Sequence, residues 1–201
     1  SDGRILSYGT KEDGKQTGYF VYDIWDPRDG SHMTLANGTG TDIFCSSQML
    51  LPDGTGITIS GGDNWTTTGT TNTGNNNATL LDVATGSLTR GTNMNRARWY
   101  SSSTMLLNGE IYVQGGTGGT DRPEIRGADG VYRVLTGANT AGFNFMYPRN
   151  FVAPDGRVFG YDSAGKMYYV DPNGVGTVTT AGQFTNSVAG NDSSAAMFAP
   201  G

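Results

Sequence analysis

Apolar residues in this chain fall in short alternating runs rather than at helical spacing. Gly56 to Ser60 (GITIS) and Glu110 to Gln114 (EIYVQ) place apolar side chains at every second position, the period of a half-buried strand. Each run follows a turn pair, Asp53-Gly54 or Asn108-Gly109, and each ends in a glycine pair, Gly61-Gly62 or Gly115-Gly116. Ahead of each turn lies a segment of apolar and serine residues. The stretches from Thr41 to Gly62 and from Arg98 to Gly116 are therefore two versions of one β-hairpin.

The same turn signal occurs at Asp2-Gly3 and Asp155-Gly156, so the turn glycines are 51, 55 and 47 residues apart. A repeat near fifty residues with a closing glycine pair is the period of a kelch-type β-propeller. Strands are predicted after the turns over Arg4–Gly9, Gly56–Gly62, Glu110–Gly116 and Arg157–Tyr161. Outer pairs follow at Tyr19–Asp26 with His32–Leu35, Ala78–Val83 with Leu88–Arg90, Glu124–Gly127 with Val131–Leu135, and Met167–Asp171 with Gly176–Thr180. Four strands per unit make one blade. The expected units are 1–37, 41–91, 97–137 and 144–182, with a further inner strand starting within 188–201. The polar stretch Asp63 to Asn77 has no apolar period and is expected to be a solvated loop, in which Trp65 alone is able to stack on a ligand.

Four units do not close a kelch ring, so the chain reads as part of a larger, seven-bladed propeller. Its first residues look like the middle of a hairpin. The expected consequence is that Phe20, Tyr22, Ile24, Met197 and Phe198 need covering by further polypeptide, from the same gene or from a second copy.

Composition strengthens the all-β reading: 32 glycines in 201 residues suit many short strands joined by turns, and 15% charged residues leave little material for surface helices. A net charge of −5 argues against nucleic acid or an anionic membrane as partner. No apolar run approaches membrane-spanning length.

The candidate chemistry lies in the inner segments. Counting back nine residues from the turn glycine reaches Cys45 in one unit, Tyr100 in the next and Tyr147 in the one after. In adjacent blades these residues share one axial register, so the single cysteine is expected beside Tyr100. A buried free thiol against a core tyrosine is the plain alternative.

Asp42-Ile43-Phe44-Cys45 with Gly61-Gly62-Asp63, and Ala97-Arg98-Trp99-Tyr100-Ser101-Ser102 with Gly115-Gly116, resemble the copper-radical oxidases of the galactose oxidase and glyoxal oxidase family. The resemblance implies a copper site in which Cys45 is joined by a thioether bond to Tyr100, and Tyr100 is both metal ligand and radical seat. It implies oxidation of a small aldehyde or primary alcohol by O2 to give H2O2, and a secreted protein. Tyr-Pro-Arg at Tyr147 to Arg149 resembles the segment that supplies a substrate-binding arginine, so Arg149, with Tyr147 and Phe44, is expected to contact substrate.

The family completes its site with a second tyrosine and two histidines from later blades. The one histidine here, His32, is placed in an outer strand and is not expected to bind copper, so the chain alone is expected to be inactive. The galactose oxidases of the family stack an indole on the radical tyrosine from the loop after the glycine pair. That loop, Thr117 to Thr120, holds no aromatic residue, which makes galactose a less expected substrate. By strand alternation Trp99 is expected on the face opposite Tyr100, packed between blades. The competing reading is a non-catalytic kelch propeller that binds a glycan or a protein through its loops.

Overall fold

The computed structural model describes residues 2–66, 69–184 and 190–197, and among them every regular element is a strand. The turn pairs act as the sequence requires. Gly54, Gly109 and Gly156 adopt positive φ of 71°, 81° and 84°, which glycine enters at little cost, and each turn brings the flanking strands into antiparallel register.

Four meandering sheets follow one another along the chain. The first contains β1 (Ile5–Ser7), β2 (Val21–Trp25) and β3 (His32–Ala36). The second opens with β4 (Ser47–Leu50) and β5 (Gly56–Ser60). It then accommodates an inserted two-stranded hairpin, β6 (Asp63–Thr66) and β7 (Gly69–Gly74), before β8 (Ala78–Asp82) and β9 (Leu88–Arg90) complete it. The third runs β10 (Ser101–Met105), β11 (Ile111–Gly115), β12 (Glu124–Arg126) and β13 (Tyr132–Val134). The fourth runs β14 (Arg149–Val152), β15 (Val158–Tyr161), β16 (Lys166–Asp171) and β17 (Thr177–Gln183). The leading strands β4, β10 and β14 lie side by side.

The core is divided into layers between consecutive sheets. Tyr22, Ile24 and Leu81 fill the first; Ala78, Met94, Ile111, Val113 and Tyr132 the second; Tyr112, Ile125, Leu135, Val158, Tyr168 and Val170 the third. Tyr22 and Ile24 are thus already covered inside this chain, by the second sheet, contrary to the expectation that further polypeptide must cover them. Phe20 and Met197 are 43% and 49% exposed, and Phe198 lies outside the described residues.

Two other expectations change. Residues 63–77 are not simply a loop: β6 and β7 pair, with Trp65 opposite Thr70. The hairpin forms without an apolar period because the fully buried Asp63 carboxylate accepts from the backbone of Asn64 (2.8 Å) and Thr73 (3.1 Å) and from the Thr70 hydroxyl. The inner strand expected over Ser193 to Pro200 is absent from its described part, where 190–197 are turn and irregular; 198–200 lie outside the described residues.

The glycine pairs have a close-packing role. A Cβ on Gly61 would overlap the carbonyl oxygen of Arg98 in the next sheet, and one on Gly62 the carbonyl oxygen of Asp42. Gly115 meets the Phe145 carbonyl in the same way. Only a bare backbone allows the ends of neighbouring sheets to approach this closely.

Candidate functional site

The residues that share the sequence register also share a conformation. Cys45, Tyr100 and Tyr147 have φ of 55°, 72° and 45°, left-handed values that side chains of this size rarely adopt. Each sits just before, or two residues before, the leading strand of its sheet. The Tyr100 N–H donates to the Cys45 carbonyl (3.0 Å) and the Tyr147 N–H to the Tyr100 carbonyl (2.9 Å), so the three form a hydrogen-bonded backbone chain across three sheets. Left-handed residues cost roughly 1–3 kcal/mol each and persist where the surroundings over-determine them, commonly at functional sites.

The side chains converge. The half-buried Cys45 thiol interacts with the hydroxyls of Tyr147 and Tyr100. The Tyr100 and Tyr147 rings meet edge to face, with centroids 5.3 Å apart and planes at 71°. Burial pushes the Cys45 thiol and both phenols up, and neighbouring negative charge adds to it: Asp63 and Asp42 for the thiol, Cys45 and Asp63 for Tyr100, Cys45 for Tyr147. All three groups keep their protons at neutral pH.

Trp99 is not on the opposite face. Its indole stacks on the Tyr100 ring, with centroids 4.1 Å apart and planes 28° from parallel. Alternation holds only for extended residues, and the left-handed turn at Tyr100 rotates its side chain onto its predecessor. The indole Nε1 is buried with no hydrogen-bond partner. Phe44 is half-buried; its N–H donates to Asp42 Oδ1 (3.0 Å) and its carbonyl accepts from Asp63 (3.1 Å).

Arg149 is buried. Its Nε and Nη2 donate to the backbone carbonyls of Gly190 (2.6 Å), Asn191 (2.9 Å) and Ser193 (2.7–3.1 Å), while Nη1 is enclosed without a partner. The segment 190–193 also brings the Asp192 charge to bear on Tyr100. His32 lies in β3 and bonds Asp23 (2.7 Å), as expected of an outer-strand histidine.

Three neighbours are given no role by the sequence alone, although Asp42 and Asp63 stand in the motifs that carry the resemblance. Tyr8, pushed up to about 12 by burial, bonds Ser46 (2.8 Å) and Gln48 beside the thiol. Asp42 and Asp63 are buried carboxyls behind it. Burial, opposed by the Phe44 N–H and reinforced by Asp63, pushes Asp42 up to about 6. That value lies above the ordinary 3.8, so the fold favours the neutral acid: the contribution is full below about pH 3.8 and is lost as pH rises through about 6. Asp42→Asn should therefore gain about 2 kcal/mol on wild type between pH 4 and pH 8. Melting curves across that range check this; a difference constant with pH would contradict it.

Tested against copper, the described residues supply one candidate ligand of the four the resemblance implies, the phenol oxygen of Tyr100, with a thiol and a second phenol beside it. Among the described residues no three of His, Cys, Asp and Glu come together as a metal cluster.

No protein-family model and no curated protein matches the chain. Solved structures do. In fold, the chain matches a fungal alcohol oxidase. That structure, described as a novel fungal alcohol oxidase with catalytic diversity among the AA5 family and solved in complex with copper, aligns with a TM-score of 0.73 at 22% identity over 91% of this chain. The chain spans 40% of that protein's length. The matched fold is that of the family whose motifs the sequence resembles.

Proposed function

We propose that this chain is part of a secreted copper-radical oxidase that oxidises a small aldehyde or primary alcohol, and that its four sheets are kelch-type blades of a larger, seven-bladed propeller. The observation that carries the reading is the pairing of Cys45 with Tyr100. The two take the same left-handed conformation on adjacent sheets and are joined by a backbone hydrogen bond.

Maturation would break the Cys45 S–H bond and an ortho C–H bond of Tyr100 and form one S–C bond, two protons and two electrons passing to O2 to give H2O2. In turnover a primary alcohol gives up two electrons and two protons to become an aldehyde, and O2 takes them to become H2O2. Bound by Tyr100 and by imidazoles from outside the described residues, copper would supply the one-electron couple that complements the Tyr100 radical. The thioether sulfur, an electron donor to the ring, would ease formation of that radical, and the stacked Trp99 would shield it from water. Arg149 would donate to a substrate oxygen through Nη1, which has no partner within the chain, and Tyr147 and Phe44 would contact the substrate as the resemblance implies.

Peroxide release on adding copper and a small primary alcohol or aldehyde tests the reading. A longer protein that joins this chain to two imidazole donors should release it, and the 201-residue chain alone should not. Copper-dependent release by the chain alone would show that no further ligands are needed. Trp99→Ala in the longer protein should shorten the life of the radical signal, and an unchanged lifetime would remove Trp99 as its shield.

A surface feature favours the non-catalytic alternative. Tyr19, Phe20 and Trp65 form an aromatic cluster with centroids 5.3–6.5 Å apart, of the kind on which a sugar ring stacks. Quenching of Trp65 fluorescence by a glycan, without peroxide release under any condition above, would support that reading.

A further inference from the structure

Arg98 is the largest fully buried side chain among the described residues, and it stands two residues before Tyr100. At the equivalent step ahead of Cys45 and of Tyr147 the chain has Ile43 and Phe145. The charged residue therefore belongs to the Tyr100 register alone among the three.

Its guanidinium gathers the loop between β11 and β12 and the strand end on either side of it. Nη1 donates to the carbonyls of Gly115 (2.7 Å) and Gly119 (2.9 Å), and Nη2 to the carbonyl of Arg122 (2.7 Å) and to Glu124 Oε1 (3.1 Å). Glu124, itself fully buried in β12, accepts in addition from the backbone N–H of Asn95 (2.7 Å) and Arg96 (2.9 Å) and from the Asn95 amide (2.9 Å). The Arg98 backbone is also held: its N–H donates to Asn75 (2.8 Å) and its carbonyl accepts from Gly62 (2.8 Å). The Trp99 carbonyl accepts from Thr117 (2.7 Å).

From Asn95 to Tyr100 the chain is thus fastened at nearly every residue, and its first half, Asn95, Arg96 and the Arg98 side chain, is fastened through the Arg98–Glu124 ion pair. A buried ion pair is a poor source of stability compared with an apolar filling of the same volume, because desolvation offsets the attraction. What it does supply is fixed geometry, since the planar fork of an arginine satisfies several acceptors in one orientation.

We propose that Arg98 and Glu124 are the pair that positions Tyr100, fixing the strand entry that holds its ring against the Cys45 thiol and the Trp99 indole. This deepens the oxidase reading and rests on it for its chemical purpose. The positioning itself is a statement about the metal-free chain.

The test compares Arg98→Lys and Glu124→Gln with Val170→Ala, a truncation at a fully buried position of β16 that makes none of the pair's hydrogen bonds and is expected to lower the melting temperature. The first readout is the rate at which iodoacetamide alkylates Cys45 in the metal-free chain. Lysine keeps the charge but not the fork, so Arg98→Lys should raise the rate about tenfold through local opening, and Glu124→Gln should act in the same direction. Glu124→Gln, which retains acceptor oxygen and shape, keeps the comparison open should Arg98→Lys fail to fold. The second readout is the yield of the Cys45–Tyr100 linked peptide after copper is added to a protein with a full ligand set, which both variants should reduce. Rates and yields equal to those of Val170→Ala at a matched melting temperature would overturn the proposal. If the wild-type protein forms no linked peptide, the oxidase reading fails, while the alkylation rates still decide whether Arg98 and Glu124 position Tyr100.

Discussion

Tyr100→Phe should abolish turnover while leaving the fold intact. Phenylalanine keeps the ring that stacks on Trp99 at 4.1 Å and meets Tyr147 at 5.3 Å, so loss of one hydroxyl should change stability by no more than about 1 kcal/mol. Under the proposed function the change would remove both the radical seat and a metal ligand, groups that act as a unit. Peroxide release by the complete protein should then fall by about three orders of magnitude or more. Thermal melting and a peroxide assay on the same preparation separate the two effects. A Tyr100→Phe protein that retains activity would remove Tyr100 from the chemistry.

The largest stability effect is expected at a glycine. Gly61 has a φ of 73°, and an added Cβ would run into the Arg98 carbonyl, which is itself fixed by the Gly62 N–H at 2.8 Å. Neither backbone has room to yield, so Gly61→Ala should cost about 3 kcal/mol or more, summing strain and overlap. Gly30→Ala is the control. Its φ of 75° is nearly the same, but nothing lies within 4 Å of the added carbon. It should cost only the conformational penalty, about 1 kcal/mol. Denaturant midpoints should show this gap; equal losses would mean that the close approach of the sheets contributes nothing.

Gly61 also shows what kind of information the sequence carried. Turn pairs and closing glycines are visible in a sequence because no other residue takes their conformations or fits so close to a neighbouring backbone. A count of nine residues from a turn glycine therefore led to Cys45, Tyr100 and Tyr147. Those three are joined in turn by backbone hydrogen bonds in the structure.

What escaped the sequence depends on side-chain interactions with no period. The β6–β7 hairpin is organised by polar bonds to the buried Asp63, and a run of Thr and Asn gives no sign of that. Trp99 was assigned to the wrong face because alternation assumes an extended backbone, and Tyr100 is not extended. Ion pairing of Arg98 with Glu124, 26 residues away in the same unit, and the seating of Arg149 on carbonyls more than 40 residues away are set by tertiary packing. Local pattern has no access to such distances.

The central claim is that the Cys45 thiol and the Tyr100 ring are held together so that they become one group. Peptide mapping by mass spectrometry, after copper and O2 are supplied to a protein containing this chain and a full ligand set, tests it most directly. The account predicts a single linked species, two hydrogen atoms lighter than the sum of the Cys45 and Tyr100 peptides, with Cys45 no longer open to alkylation. Recovery of Cys45 as a free, alkylatable thiol, or its linkage to Tyr147 instead, would contradict it.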